Sequence, residues 1–230
     1  MFRWIVPALL SSAIVLAPGQ RACGQGGDQW RQQSSSGKMA AAKGNLADAE
    51  AYLANAVKTA EQFEPGDTRL PATLRDLADV YVAQGKYKQA EAPLMRALDI
   101  YERFLGADHP DVAESLNRLA EVYLREGRYC EAEPLLLRAL SILETKLPFQ
   151  DAYIARTCYD LATAYASQDK YDEAEPYFQR ALTLREKALG PDDPEVGRTL
   201  LGYAVLLRKT NRVAQADKME ARARAILAMP

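Results

Sequence analysis

The sequence predicts an all-α fold, a solenoid of stacked helical hairpins, and three observations predict it. Tyr87-Lys88-Gln89-Ala90-Glu91 returns as Tyr129-Cys130-Glu131-Ala132-Glu133 and again as Tyr171-Asp172-Glu173-Ala174-Glu175, 42 residues later each time. Small residues keep the same interval: Ala78, Ala120, Ala162 and Ala204; Ala90, Ala132, Ala174 and Ala216; Ala97, Ala139, Ala181 and Ala223. So do large ones: Leu74, Leu116, Cys158 and Leu200; Leu77, Leu119, Leu161 and Tyr203; Tyr81, Tyr123, Tyr165 and Leu207. A small residue at a fixed site lets two helix backbones approach closely, and the larger side chains fill the space beside it. Units of this size cannot bury an apolar face alone, so the repetition implies stacking.

The 230 residues are 48% hydrophobic and 26% charged, the composition of a folded soluble protein and not of a disordered one. With Lys+Arg 29 against Asp+Glu 31, the chain has no overall basic field, and nucleic acid is not an expected partner. Three cysteines cannot staple a chain of this length, and their spacing fits no zinc pattern. Cys158 takes the phase of a leucine and reads as a small buried hydrophobe. Cys130 opens a helix, at a position not equivalent to that of Cys158, and the repeat offers no support for a bridge between them.

From the N-terminus, Met1-Phe2-Arg3 and the apolar run at 4–17 have the layout of a secretory signal peptide, too short to span a bilayer comfortably. Cleavage is expected between Gln20 and Cys23, which assigns residues 1–22 to the signal. The alternative, a buried helix of the fold, is opposed by the run's standing outside the 42-residue register. Cys23 admits a second idea, acylation of a first mature cysteine, although Gln20 and Arg21 depart from the aliphatic and small residues a lipobox carries. Residues 23–38, rich in Gly, Gln and Ser with Trp30 the one large apolar side chain, read as a linker.

The repeat domain is expected over 39–229 in about five units. The first is degenerate, with a short helix around Met39 to Lys43, then Gly44-Asn45-Leu46, Ala49, Leu53 and Ala56, and its offset to the next unit is 41. In the third unit, Asp108-His109-Pro110-Asp111 is a helix start, with Pro110 near the first helical position, where its missing N–H costs nothing. Val112, Leu116, Leu119, Ala120 and Tyr123 then follow the helical period. Gly127 ends that helix, and its equivalents Gly85, Asp169 and Asn211 all tolerate a left-handed backbone. The second helix carries Ala132, Leu136, Ala139, Leu140 and Leu143 on its buried side. Pro93, Pro134 and Pro176 fall in the early part of the second helices, where a slight bend is expected. The last helix, with Lys218, Glu220, Arg222 and Arg224, suits a cap facing water.

The order Leu116, Leu119, Ala120, Tyr123, Gly127, Tyr129, Ala132, Leu136, Ala139, Leu140 resembles the tetratricopeptide repeat. The 42-residue period, with His-Pro-Asp-Val and Tyr-x-x-Ala-Glu-Pro-Leu, is similar to its kinesin-light-chain type. The resemblance implies a right-handed superhelix whose first helices line a concave channel that holds peptides or partner helices. Carried over to this chain, the channel residues are Arg75, Asp76 and Asp79, then Asn117, Arg118, Glu121 and Arg125. Arg156, Tyr159, Asp160 and Thr163 follow, then Arg198, Arg208 and Lys209. The surface is mixed in sign and turns basic toward the C-terminus, which favours a partner segment with an acidic end. Each such residue also admits the plainer reading of a solvated helix face.

A nucleophile, base and oxyanion donor that could meet are not apparent. His109, the single histidine, stands in a helix start and reads as a cap. Gly24-Gln25-Gly26-Gly27 lacks the Lys-Ser/Thr of a phosphate loop. Asp192-Asp193, and Asp108 with Asp111, lie at helix starts, where the helix dipole accounts for them. The expected function is that of a non-enzymatic, exported interaction module, periplasmic or secreted. It binds a protein or peptide without cofactor or metal, and meets a membrane only if Cys23 is lipidated. The rival readings are a lipoprotein scaffold tethered at Cys23 and an enzyme or enzyme accessory.

Overall fold

The computed structural model describes residues 18–146 and 151–228, with side chains from residue 26 onward. The apolar run of the expected signal and the side chain of Cys23 lie outside what is described. Among the described residues the chain forms ten helices in five hairpins: α1 (Pro18–Ala42) with α2 (Leu46–Ala60), α3 (Arg69–Ala83) with α4 (Tyr87–Leu105), α5 (Pro110–Arg125) with α6 (Tyr129–Lys146), α7 (Asp151–Ala166) with α8 (Tyr171–Leu189), and α9 (Pro194–Lys209) with α10 (Val213–Leu227). Each hairpin packs on the next through its second helix. The first helices also touch directly, α1 with α3, α5 with α7 and α7 with α9, whereas the second helices make no comparable contact with one another. The first helices therefore form the inner layer of the stack.

The repeat is a repeat of interactions. Gly85, Gly127, Asp169 and Asn211 have φ of 73°, 75°, 60° and 61°, the left-handed turn expected at each first-helix end. The next backbone N–H then reaches back over the turn: Lys86 N to Tyr81 O, Arg128 N to Tyr123 O, Lys170 N to Tyr165 O and Arg212 N to Leu207 O, at 2.8 to 3.0 Å. At helix starts, the Nδ1 of His109 accepts from Asp111 N at 3.2 Å, and the Oδ1 of Asp193 accepts from Glu195 N at 2.7 Å. His109 is a cap, as expected. The in-phase alanines at 90, 97, 120, 132, 139, 162, 174, 181, 204, 216 and 223 are fully buried, and so are Leu116, Cys158 and Leu161. Fully burying such a leucine stabilises by roughly 1.5–3 kcal/mol. Burial pushes the Cys158 thiol up to about 11, so it packs as a hydrophobe; Cys130 is exposed, and both thiols are free.

A buried hydroxyl also repeats. Thr73, Ser115, Thr157 and Thr199 each donate to the carbonyl four residues earlier, at 2.7 to 3.0 Å. Three of them take a further bond from the preceding hairpin: Trp30 Nε1 to Thr73, Asn117 Nδ2 to Thr157, and Arg185 Nη1 to Thr199, at 2.9, 2.9 and 2.7 Å.

The segment expected as a linker, 23–38, is instead part of α1, a full first helix of the first hairpin. Its Gly and Ser content is a packing surface. Ser34, Gly37 and Ala40 are buried, and a Cβ on Gly37 would lie 2.6 Å from Leu53 Cγ. With the 41-residue offset of this unit, Gly37 holds the phase of Ala78. Small residues here bring α1 close to α2, and Trp30, beside Phe63 at 6.5 Å between ring centres, ties it onward to α3. At the other end, α10 exposes Asp217, Lys218 and Arg224 together with Val213, Ala214, Ala221 and Leu227, while Glu220 and Arg222 turn to pair with Arg208 and Glu186.

Candidate partner-binding groove

The inner layer carries a small cleft of about 230 Å³ between α1, α2 and α3, bordered by Asp76 and Asp79, and opens into two adjoining ones near the C-terminal end. One, of about 660 Å³, lies between α5, α7, the end of α8 and α9. The other, of about 450 Å³, lies between α7, α8 and α9. They share Tyr159 and Thr163. Helical spacing brings Arg156, Tyr159, Asp160 and Thr163 together, because residues three and four apart share a face. Gly202 sets the floor: a Cβ there would meet the rings of Tyr159 and Phe178 at 3.1 Å.

The larger cleft is rich in charge. Glu121 is shared by Arg156 at 2.6 Å and Arg125 at 3.7 Å; Glu195 is shared by Arg185 at 3.2 Å and by Arg198. Arg185, 6% exposed, also donates to the Glu195 carbonyl at 3.0 Å, and its guanidinium stands 4.9 Å from the centre of the Tyr159 ring. Asp160 is different. Its side chain is 16% exposed, its nearest cation atom is Arg156 Nε at 3.9 Å, and its buried Oδ2 accepts no hydrogen bond. Burial pushes its carboxyl up to about 7, against the pull of Arg156 and helped by the charge of Glu121.

The smaller of the two adjoining clefts carries fewer charges and is lined by Tyr159, Ala166, Tyr171, Phe178, Leu206 and Val205, the last 59% exposed. Among the described residues, no three His, Cys, Asp or Glu side chains are placed to hold a metal ion, and no helix is long and apolar enough to cross a membrane.

The tetratricopeptide repeat pattern matches residues 33–103, 94–145 and 153–228. The chain belongs to the tetratricopeptide repeat family. Its fold is the family's right-handed α-solenoid, and solved structures of the kinesin-light-chain type are similar to it. Nearly identical TPR-like repeats of a Podosopora anserina protein assigned as a kinesin light chain superpose with a TM-score of 0.71 at 23% identity, over 86% of this chain and 94% of that one. BtubC (BKLC) of P. vanneervenii superposes at 0.75 with 20% identity, over 93% and 92%. A Rap protein complexed with Competence and Sporulation Factor superposes at 0.67 with 18% identity, over 86% of this chain and 54% of that one.

Within this tetratricopeptide repeat, the expected channel residues divide into three groups. Glu121, Arg125, Arg156, Tyr159, Asp160, Thr163 and Arg198 line the larger cleft, and Lys209 lines the smaller. Arg75, Asp79 and Arg118 lie on the inner layer but are spent on each other's hairpins: Arg75 binds Glu114 at 2.6 Å, and Arg118 binds both Asp79 and Glu114. Arg75 is further covered by Tyr101, whose ring centre is 5.2 Å away. Asp76 pairs with Lys38 of α1 at 2.9 Å.

Two residues are misplaced by the sequence reading. Asn117 is 5% exposed, and its amide and the Thr157 hydroxyl bond one another between α5 and α7, so it is unavailable to a partner. Arg208 turns to α10, binding Asp217 at 2.7 Å and Glu220 at 2.8 Å. Sequence reasoning missed Glu195 and Val205 of α9, and Arg185, which comes from a second helix. A signal for Arg185 exists: it holds the phase of the buried Tyr101 and Leu143. A charge at a core position is itself the anomaly.

Proposed function

We propose that this tetratricopeptide repeat protein is an exported, non-enzymatic interaction module that holds a peptide or protein segment in the two adjoining clefts of its inner layer. Tetratricopeptide folds bind protein or peptide partners, and a structural neighbour of this chain was solved with its factor bound. The observation that carries the reading is the contrast within the inner layer. Arg75 and Arg118 are closed against Glu114 and Asp79, and the cleft that Asp76 and Asp79 border, about 230 Å³, is about half the size of the one that Tyr159, Thr163, Val205 and Lys209 border. Export is supported by the charged start and apolar run at 1–17.

The test is a cross-linking pull-down from the protein's own host. Thr163→Arg, on the wall the clefts share, with Val205→Arg, in the smaller cleft, fills the groove with long cations and is expected to abolish capture of the partner. Arg96→Gln, on a second helix, is expected to leave it intact. Equal capture by all three forms removes the groove from consideration. N-terminal sequencing of the host protein checks export, with a mature end expected between residues 20 and 23; an unprocessed start refutes it.

A further inference from the structure

We propose that Asp160 makes occupancy of the larger cleft depend on a proton, so that the cleft accepts a carboxylate-bearing partner segment when Asp160 is protonated and releases it when Asp160 is ionised. This rests on the groove reading and adds the chemistry of the occupant and the condition for its entry.

The charge arrangement selects the occupant. Four guanidiniums, of Arg125, Arg156, Arg185 and Arg198, face the cleft, and only Glu121 and Glu195 neutralise them in close pairs. With Asp160 uncharged the cleft carries a surplus of two positive charges, and with it ionised a surplus of one. Arg156 and Arg198 are about half exposed, so their free N–H groups can turn to a ligand. Glutamate or aspartate of an extended segment supplies the planar carboxylate that a guanidinium fork matches. Apolar side chains of the same segment find Val205 and Tyr159 in the adjoining cleft.

Asp160 is the one acid here without a hydrogen bond at its buried oxygen. The groups that face it are Glu121 and Arg125 from α5, Arg156 and Tyr159 from α7, Arg185 from α8, and Glu195 and Arg198 from α9. None of these gives the buried oxygen a partner, and Glu121 opposes a second negative charge. Protonated, the carboxyl can donate to an incoming carboxylate; ionised, it repels that carboxylate in a site that water screens poorly. Its titration near 7 puts the switch within the range an exported protein meets.

The experiment uses the full chain and two fluorescein-labelled probes, a peptide of alternating glutamate and leucine and its glutamine counterpart, followed by fluorescence polarisation between about pH 6 and about pH 8. The glutamate peptide is expected to bind roughly fivefold more weakly at the upper end, the part of a tenfold, one-unit coupling between two like charges that is realised across this interval. The glutamine peptide shows no such trend. Asp160→Asn is expected to hold the acid-side affinity throughout, and Arg156→Gln with Arg198→Gln to remove glutamate-peptide binding while circular dichroism stays unchanged. A glutamate affinity that is flat with pH, an Asp160→Asn protein that still titrates, or equal affinity for both probes overturns the proposal. If the host partner is still lost on Thr163→Arg with Val205→Arg, the groove reading survives that failure; if it is not, the groove reading has fallen by itself.

Discussion

The inner and outer layers of this solenoid use the same charged residue types to opposite ends. At the turn into each second helix, Lys86, Arg128, Lys170 and Arg212 stand 42 residues apart and bind Glu50, Glu91, Glu133 and Glu175 of the preceding hairpin, at 2.7 to 3.0 Å. A second ladder repeats beside it: Arg96, Arg138, Arg180 and Arg222 bind Glu61, Glu102, Glu144 and Glu186. The cations of the first ladder also stack on an in-phase ring, with Lys86 over Tyr81, Arg128 over Tyr123 and Lys170 over Tyr165. The inner layer has no such regularity. One phase reads Arg75, Asn117, Tyr159, Leu201; the next reads Asp76, Arg118, Asp160, Gly202. Charge that repeats with the backbone serves the stacking of hairpins. Charge that varies from unit to unit is free to shape a site.

The largest effect that sharpens this contrast comes from the periodic core. Leu161→Ala, at a fully buried position, is expected to cost about 2–5 kcal/mol in urea unfolding, through lost burial and the cavity left behind. A loss below about 1 kcal/mol would mean the hairpins do not share one core. The next effect belongs to the variable layer. Because the folded-state carboxyl of Asp160 is raised, the folded protein holds its proton at pH values where the unfolded chain has released it. The cost of burying its charge is fully present above pH 7 and is relieved as pH falls through 7 toward the unfolded value of about 4. Asp160→Asn is therefore expected to stabilise by about 1–3 kcal/mol at pH 8 and to have little effect near pH 4. Arg128 holds Glu91, and Arg198 holds Glu195, below the ordinary 4.5, so those pairs act in the opposite sense and only at lower pH. A wild-type stability that does not change between pH 8 and pH 5 contradicts the buried setting of Asp160.

What could be read from the sequence follows the same division. The left-handed turns at Gly85, Gly127, Asp169 and Asn211, the alanine phases and the His109 cap were legible because a backbone requirement repeats and so leaves several copies of its trace. Asn117 and Arg208 were misread because helical phase says which side of a helix a residue occupies but not what covers that side. For Asn117 the cover is Thr157 of the next hairpin, and for Arg208 it is the acidic face of α10. The helix over 23–38 was hidden by its own chemistry. Gly and Ser weaken a helix standing alone, yet they are what the close approach to Leu53 demands, so tertiary packing overrides the local preference.

The smallest expected effect tests the outer layer. Arg96 and Glu61 are each nearly half exposed and meet at 2.6 Å, in a place where water competes for both charges. Removing one such rung by Arg96→Gln is expected to change stability by less than about 1 kcal/mol, and salt should shrink the change further. The rungs are worth little singly because holding two long side chains in one geometry costs conformational freedom that offsets most of the attraction. Their value lies in register: hairpins slipped along one another would set these acids and bases out of step in every unit at once. Taking out Arg96, Arg138, Arg180 and Arg222 together should therefore lower the cooperativity of unfolding, seen as a smaller dependence on urea, more than four single losses would suggest. If the four losses add without any change in that slope, the outer ladder is only a solvated surface, and the regularity of its charges has another origin.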